Sequence, residues 1–536
     1  MSLKRFLANS LWISSGRGRY HSLIDNLDFV EETQRRYLAL LTQRNSLTVF
    51  GKYHNFHEIH SPENFQQSVP LSVYEDYAGF LERIAAGEWA VLTDEPVILF
   101  QPTSGSTSAS KLIPYTQTLK HEFQRAISAW VGSLYGKRPE LLRGSAYWSI
   151  SPPGNQPKDY GRIPVGFDSD SEYLGSVGRY LFKWVSAIPT SVAQTEDMEI
   201  FFDQTLSYLV ATEDLAIISV WSPTFLLILL NKLVEKRQDI SRIMRNNHVS
   251  VSAERALHIE KILQKEPVKF ESIWPHLKLL SCWIDGPSEI YAEELQKRLP
   301  SVEIQGKGLI ATEAFVSLPL FENTDPVLAI KSHFFEFQDI QTGVIKFAWD
   351  LTKGKTYSVF VTTGGGLYRY ALGDLVTVTG FAGNTPTLRF VCKEKVSNYF
   401  GEKLNTIHVQ DCIQRVFTSL EIKPSFVLVA PMKSATGKIA YCLFMDCTGI
   451  NVETVKNVRR KLEDQLCFNF HYKNCRNLQQ LNALNLFMIE CSAVKPGEVY
   501  IREMQRRGLK LGDIKHEILD RETGWERCFS GHLVDA

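Results

Sequence analysis

The decisive stretch of this chain is Pro102-Thr103-Ser104-Gly105-Ser106-Thr107-Ser108-Ala109-Ser110-Lys111. An apolar run over residues 97–100 leads into it, and a helix is predicted over residues 118–134 after it. Hydroxyl groups, exposed backbone N–H groups and one ammonium on a tight turn suit a polyphosphate ligand. The alternative is a serine-rich surface loop that ends in a solvated lysine.

The turn differs from a Walker A loop, which has glycine before the lysine and serine or threonine after it. Ser110 and Leu112 occupy those places here. The turn instead resembles the phosphate loop of the adenylate-forming superfamily, which includes luciferase and the acyl-CoA synthetases and has roughly the pattern S/T-S-G-S/T-T-G-x-P-K. The residues that match are Thr103, Ser104, Gly105, Ser106, Thr107 and Lys111, whereas Ser108 and Ser110 replace the usual glycine and proline.

Composition limits the classes of protein to consider. A length of 536 residues predicts two or more domains, and 44% hydrophobic with 22% charged residues is typical of a globular protein. Lys+Arg and Asp+Glu both number 59, so no net field attracts nucleic acid or anionic lipid. The nine cysteines form no C-x-x-C pair, which favours a reducing cytoplasm. We expect no membrane span and no signal peptide.

The order of predicted elements indicates an α/β protein. Residues 1–90 have helical periodicity, and residues 91–230 alternate apolar strands with helices, which favours a largely parallel sheet. A further buried strand over 277–284 precedes a helix over 289–298, and ligands bind at such strand ends. A charged break at 393–395 precedes a compact α+β pattern. The predicted domains are therefore 1–393 and 394–536.

Glu313 is the one carboxylate in an apolar, small-residue stretch over 308–314. A buried carboxylate needs a cation or hydrogen-bond donors to offset its desolvation. It is either the partner of an arginine or lysine, or a Mg²⁺ ligand beside ATP phosphates.

A third stretch, over residues 362–374, contains three consecutive glycines and ends at Asp374. The glycines let the backbone approach a ligand closely. A carboxylate at Asp374 is placed to accept two hydrogen bonds from a ribose diol, although an aspartate in a β-turn is the alternative. Lys515, in a glycine-flanked loop, is either functional or an ordinary surface lysine.

The order of these signals resembles adenylate-forming enzymes, with a phosphate loop, Glu313, Asp374, a hinge near Gly401 and a late lysine. Residues 362–374 are similar to the T-T-x-x-G-L-Y-R-Y-x-x-G-D motif of the auxin-responsive acyl-acid amido synthetases of plants and their bacterial relatives. Further matches are F-E-F at 335–337, R-F-V at 389–391, A-T-E at 311–313 and I-K at 514–515. Leu309 replaces the tyrosine that opens the plant Y-x-S-S-E motif, and the chain looks more like the bacterial branch.

The resemblance implies an adenylate-forming fold. Its large N-terminal domain has several layers, with sheets, helices and a small β-barrel, and its small α+β C-terminal domain is mobile. It implies that a carboxylic acid attacks ATP to give an acyl-adenylate and pyrophosphate, and that an amine or amino acid then displaces AMP. ATP and Mg²⁺ are the implied cofactors, and the oligomeric state stays open.

The resemblance also assigns residues. It implies that Lys111 and Lys515 are catalytic and that Glu313 binds Mg²⁺. The implied nucleotide-binding residues are Thr103, Ser104, Gly105, Ser106, Thr107, Lys111, Ala311, Thr312, Glu313, Tyr368, Asp374, Phe390 and Lys515.

The acyl pocket is less defined by the sequence. Trp221, Phe225, Trp283 and Tyr399 lie near predicted strand ends or the hinge and would line an apolar or aromatic acid site, although a core role is the favoured interpretation for each. Two alternative functions stay open: an acyl-CoA ligase of the same superfamily, and a non-catalytic nucleotide-binding protein that has kept the fold.

Overall fold

The computed structural model describes residues 3–103, 111–149, 159–167, 175–195, 197–247, 249, 251–320, 323, 325–394, 396–397, 399–433, 439–446, 448–490, 494–509 and 511–534, with backbone only at 175–179, 287, 396 and 513. The chain divides into two compact units. Unit 1 comprises Met1–Asp285, Tyr291–Val391 and Gly508–Asp513, and unit 2 comprises Gly286–Ile290, Cys392–Arg507 and Ile514–Ala536. None of the described helices is long and apolar enough to cross a bilayer.

Residues 3–85 are mainly helical, as the periodicity predicts. The helices are α1 (Leu3–Ile24), α2 (Val30–Arg44), α3 (Val49–Tyr53), α4 (Pro62–Ser68) and α5 (Ala78–Ala85). Side-chain caps fix two of the starts, because the Thr48 hydroxyl accepts from the Gly51 N–H and the Ser61 hydroxyl accepts from the Asn64 N–H.

A four-stranded parallel sheet forms one layer of unit 1. Its order is β3 (Ser145–Trp148), β6 (Leu215–Ser219), β7 (Leu279–Cys282) and β8 (Glu303–Gly306). The helices of this region are α6 (Gln117–Gly136), α7 (Gly175–Val185), α8 (Met198–Ala211), α9 (Pro223–Glu235), α10 (Ile240–Asn246), α11 (Ala253–Leu263), α12 (Phe270–Ile273) and α13 (Glu289–Arg298). The predicted alternation of strands and helices is confirmed.

A seven-stranded sheet forms the second layer. Its order is β12 (Ile345–Phe347), β11 (Phe334–Asp339), β13 (Thr356–Thr362), β14 (Tyr370–Ala382), β15 (Thr385–Lys393), β10 (Val327–Leu328) and β9 (Ser317–Leu318). Where the resemblance implies a small β-barrel, the described strands form a sheet with two end strands, β12 and β9. Two hairpins complete the unit, β1 (Leu99–Pro102) with β2 (Leu112–Tyr115), and β4 (Asp159–Tyr160) with β5 (Ile163–Pro164).

Unit 2 has the α+β pattern expected of the C-terminal part. Its sheet has the order β18 (Val427–Lys433), β19 (Ile439–Asp446), β20 (Asn485–Ile489) and β21 (Gly531–Leu533), in which only the described β19–β20 pair is parallel. The helices are α14 (Thr406–Ser419), α15 (Val452–Leu466), α16 (Phe470–Asn477) and α17 (Pro496–Arg506), and β16 (Val396–Ser397) pairs with β17 (Leu404–Asn405). Apolar side chains of α14, α15 and α16 pack with the sheet in one core.

A buried ion pair joins β11 to the segment before β14. The Arg369 guanidinium donates two hydrogen bonds to the Glu336 carboxylate, one from Nε and one from Nη2, each 2.9 Å long. Its Nη1 donates to the backbone oxygens of Gln66 and Val69. Arg369 and Glu336 are 5% and 1% exposed. Since every polar group of the pair has a partner, the pair fixes the register of helix α4 against the second sheet.

We predict that Arg369→Met lowers the free energy of unfolding of unit 1 by about 3–5 kcal/mol, because it leaves the Glu336 carboxylate buried without a counterion. The double variant Arg369→Met/Glu336→Leu removes that charge and should recover much of the loss. Urea titrations followed by tryptophan fluorescence measure both. Equal destabilisation in the single and double variants would show that packing, rather than the unpaired charge, is what Arg369 contributes.

His516 is buried against aromatic side chains of unit 2. Its ring lies 4.8 Å from the Phe426 ring and meets Tyr500 edge-on at 5.1 Å. Burial lowers the pKa of His516 to about 4, against the opposing effect of a hydrogen bond to the Val427 backbone. The folded state therefore favours the neutral imidazole.

We predict that acid destabilises unit 2 through His516. The pKa of His516 is lower in the folded state than its unfolded value of about 6.5. Its contribution to stability is therefore fully present above about pH 6.5 and is lost as the pH falls towards 4. Between pH 7.5 and pH 5 the loss is about 2 kcal/mol. Denaturant midpoints of wild type and His516→Phe, measured at both pH values, should show a smaller pH effect in the variant. The control is His471→Phe, at an exposed histidine, which should keep the wild-type pH effect. If His516→Phe also kept it, His516 would not be the source of the acid destabilisation.

Candidate active site

The hydroxyl-rich stretch lies in the sequence between the paired strands β1 and β2. Thr103 N–H donates to the Lys111 carbonyl at 2.8 Å, and Pro102 pairs with Leu112, so both ends of the turn are anchored. The residues between them, including the predicted phosphate ligands Ser104, Gly105, Ser106 and Thr107, lie outside the described residues.

Lys111 lies among phenol side chains. Its ammonium is 3.5 Å from the Tyr370 hydroxyl and lies 5.6 Å from the ring centroid of Tyr74 and 5.9 Å from that of Tyr370. Burial raises the pKa of both phenols, and the Glu313 carboxylate raises that of Tyr370 further. Both phenols are therefore neutral at pH 7. No carboxylate of the described residues is within 4.0 Å of the Lys111 ammonium, which leaves its charge for an anionic ligand.

Glu313 lies at the tip of a tight turn. Ile310 bridges Phe315, and the Ala311 N–H donates to the Ala314 carbonyl at 3.0 Å. The Tyr115 hydroxyl donates to the Thr312 carbonyl at 2.6 Å, and Tyr115 ends the strand that Lys111 precedes. Glu313 is 9% exposed. The structure thus brings Lys111, Tyr370 and Glu313 together in unit 1.

The glycine loop packs against the start of helix α6. Thr116, the N-cap of α6, donates its hydroxyl to the Gly364 carbonyl at 2.8 Å, and Gly364 N–H donates to Glu122 Oε2 at 3.0 Å. A Cβ at Gly364 would lie 2.6 Å from Glu122 Oε1 and 2.4 Å from Thr118 Cγ2. Gly366 has φ +92° and its Cβ would lie 2.6 Å from Leu92 Cβ. Only glycine fits at these two positions.

The Glu122 carboxylate links this loop to the Glu313 turn. His333 Nδ1 lies 3.0 Å from Glu122 Oε2, and His333 Nε2 accepts from the Phe315 N–H at 3.0 Å, so Nδ1 carries the proton. The Tyr37 hydroxyl donates to Glu122 Oε1 at 2.5 Å. Glu122 and His333 are fully buried, and no sequence motif marks either residue.

Asp374 lies in an irregular part of β14. Ala371 pairs with Phe360 and Leu375 pairs with Ser358, so the intervening residues form a bulge, in which Gly373 has φ +68°. Asp374 is 1% exposed and lies on the same strand as Tyr370. Bulges commonly re-aim side chains next to binding sites, and the ribose-binding role of Asp374 stays a prediction.

Two other predicted nucleotide residues have clear packing roles. Tyr368 is fully buried, stacks on Phe50 at 4.6 Å, and donates its hydroxyl to the Leu92 carbonyl at 2.7 Å. Phe390, on β15, is partly buried against the main core of unit 1. Ala311 and Thr312 lie in the turn that carries Glu313.

The predicted acyl-site residues separate into two places. Trp221 and Trp283 are neighbours, with ring centroids 6.0 Å apart, at the carboxyl ends of β6 and β7. Phe225 is 2% exposed and packs on Phe201 and Phe202 within the helical layer, so it belongs to the core.

Lys515, in the glycine-flanked loop, belongs to unit 2. It is half-buried, and its backbone oxygen accepts from the Tyr500 hydroxyl at 3.2 Å. Tyr399, also in unit 2, is 41% exposed and donates its hydroxyl to the Arg521 carbonyl.

The described residues contain no group of three or more histidine, cysteine, aspartate or glutamate side chains that could hold a metal ion.

Comparison with known proteins identifies relatives of this chain. The chain is 22% identical to indole-3-acetic acid-amido synthetase GH3.15 of Arabidopsis thaliana over 537 residues, which cover 89% of this chain and 88% of the relative. It is 22% identical to the jasmonoyl-L-amino acid synthetase JAR6 of Nicotiana attenuata over 409 residues, 68% of this chain and 69% of the relative. The structure of AtGH3.15 acyl acid amido synthetase in complex with 2,4-DB matches with a TM-score of 0.80 at 19% identity, covering 96% of this chain and 97% of the other.

The expected fold is confirmed by that structural match. Residues 19–304 match the GH3 family N-terminal domain, and residues 326–393 match the GH3 family central domain. The first match alone spans more than half of the 536 residues. The chain therefore belongs to the GH3 family.

Proposed function

We propose that this protein is an ATP-dependent acyl-acid amido synthetase. The observation that carries the proposal is the meeting of Lys111, Tyr370 and the Glu313 turn beside the glycine loop in a member of the GH3 family. Relatives whose names give them acid–amino acid ligase activity align with most of the chain. A reducing, cytoplasmic setting is part of the proposal, on the composition argument from scattered cysteines.

The proposed reaction has two steps. An oxygen of the substrate carboxylate attacks the α-phosphorus of ATP, the bond from that phosphorus to the bridging oxygen breaks, and pyrophosphate leaves. The nitrogen of an amine or amino acid then attacks the acyl carbonyl carbon and loses a proton, and the carbon–oxygen bond to AMP breaks.

The roles of the residues follow from where charge develops. Lys111 and the hydroxyl-rich turn would stabilise the phosphates, and Asp374 would accept hydrogen bonds from the ribose diol. Glu313 would hold Mg²⁺, which neutralises phosphate charge when bound. Lys515 would contact the α-phosphate. Each preorganised donor is worth about 3 kcal/mol of the barrier in comparable sites, because it needs no reorganisation during the reaction.

We predict that the protein exchanges labelled pyrophosphate into ATP only when a suitable carboxylic acid is present. Glu313→Gln and Asp374→Asn keep side-chain size but remove the charge, and each should lower the exchange rate about 100-fold. Glu254→Gln, at an exposed carboxylate on α11, is the matched control and should leave exchange unchanged.

The products decide between acceptors. Mass spectrometry of reactions supplied with both mixed amino acids and CoA should show an amide and AMP. A thioester product would replace the amido synthetase proposal with an acyl-CoA ligase. Tight ATP binding without exchange for any acid would contradict ligase activity altogether.

A further inference from the structure

A buried lysine lies at the carboxyl end of the parallel sheet, outside the proposed nucleotide site. Lys307 follows β8 and is 4% exposed. Its backbone N–H donates to the Cys282 carbonyl at 3.1 Å, and its ammonium donates to the Ser219 hydroxyl at 2.6 Å. Its position is therefore fixed at both ends of the side chain.

Tryptophan rings surround the Lys307 ammonium. The ring centroids of Trp130 and Trp221 are each 4.9 Å from Nζ, and that of Trp148 is 6.0 Å away. Trp283 continues the wall beside Trp221. An ammonium that is this far desolvated gains from the negative faces of the rings, but cation–π contacts do not replace an anion.

The strand register places further polar groups in the same row. Trp148 pairs with Ser219, Ser219 with Ser281, and Ser281 with Gln305, so these four side chains share one face of the sheet. Trp130, from α6, donates its indole N–H to Gln305 Oε1 at 3.0 Å, which shows that this face is covered by α6.

Donors in this row outnumber acceptors. The Ser281 hydroxyl is fully buried and, among the described residues, neither it nor the Trp148 indole N–H has a hydrogen-bond partner. The Lys307 ammonium has three N–H groups, and the part of the chain that the structure describes gives it one acceptor, Ser219. A ligand that brings acceptor oxygens would satisfy all three groups.

The described protein supplies no counterion for Lys307. No described carboxylate is within 4.0 Å of its ammonium. Burial raises the pKa of the neighbouring Cys282 thiol to about 12, so the thiol is neutral at pH 7. Burial lowers the pKa of Lys307 to about 7, and a bound anion would raise it again.

The tryptophans around Lys307 differ in exposure. Trp148, Trp221 and Trp283 are each only partly buried, whereas Trp130 and Lys307 behind them are buried. Partly exposed indole rings beside a buried cation suit a planar ring with an anionic group at its far end.

We propose that Lys307 and its tryptophan wall form the specificity site for the acyl substrate, and that the substrate is an aromatic acid with a second carboxylate. This inference rests on the proposed amido synthetase function. The distal carboxylate binds Lys307, Ser281 and the Trp148 N–H. The aromatic ring lies against Trp221 and Trp283. The other carboxylate is the one that reacts, near the turn that carries Glu313, six residues after Lys307 in the chain.

Pyrophosphate exchange with paired acids tests this substrate class. We compare cinnamate with 4-carboxycinnamate, and phenylacetate with 4-carboxyphenylacetate, in wild type, Lys307→Met and Lys307→Arg. Wild type should prefer the dicarboxylate of each pair by about 10- to 100-fold in kcat/KM, which is the range expected for a charge-assisted hydrogen bond. Lys307→Met should lose the preference while keeping exchange with the monocarboxylate, and Lys307→Arg should keep part of it.

The matched control is Lys278→Met, at an exposed lysine just before β7, which should keep the wild-type preference. Equal kcat/KM for the two members of each pair in wild type, with exchange present, would overturn the substrate class and leave the proposed function intact. The same holds if Lys307→Met retains the preference.

A second measurement does not depend on turnover. Titration of wild type with 4-carboxycinnamate should quench tryptophan fluorescence with saturation, and Lys307→Met should bind about 10- to 100-fold more weakly. Absence of Lys307-dependent binding overturns the inference. Lys307-dependent binding without exchange for any acid would support the anion site and contradict the ligase function.

Discussion

The buried carboxylate of Glu122 is the contact on which the arrangement of unit 1 depends. It accepts hydrogen bonds from the Tyr37 hydroxyl, the His333 imidazole and the Gly364 N–H, and so joins helix α2, helix α6, the second sheet and the glycine loop. A buried carboxylate is costly unless donors of this number surround it, and removing one partner leaves a strongly unfavourable charge. The network therefore specifies one relative position for elements that are far apart in the sequence.

Both proposed nucleotide segments depend on that carboxylate. Gly364 is bound to it directly, whereas the turn that carries Glu313 is bound through His333, which accepts from the Phe315 N–H. The hairpin that presents Lys111 is tied to the same turn by the Tyr115–Thr312 hydrogen bond. The chemistry proposed for the site needs donors held in place before the reaction begins, and a rigid, fully satisfied network supplies that preorganisation.

The sequence predicts the architecture better than it predicts the site. The helix predicted over residues 289–298 has the bounds of α13 (Glu289–Arg298) in the structure. The phosphate loop, Glu313, Asp374 and Lys515 are marked because they match a motif. Glu122, His333 and Lys307 carry no such mark, since their importance comes from partners more than 80 residues away. Phe225 is a residue that the sequence marks for the acyl site but that the structure places in the core, where it packs on Phe202. Sequence position near a strand end does not show whether an aromatic side chain is buried by its neighbours.

Hydrogen exchange in Glu122→Gln tests the central role of this carboxylate most directly. The amide keeps the size of the side chain but presents an NH₂ group to at least one of the three donors. We predict faster exchange at the Gly364 and Phe315 amides and in the peptides that contain them, with unit 2 unchanged, while Glu140→Gln, at an exposed glutamate, has no effect. Unchanged exchange at both amides in a folded Glu122→Gln protein would contradict the account.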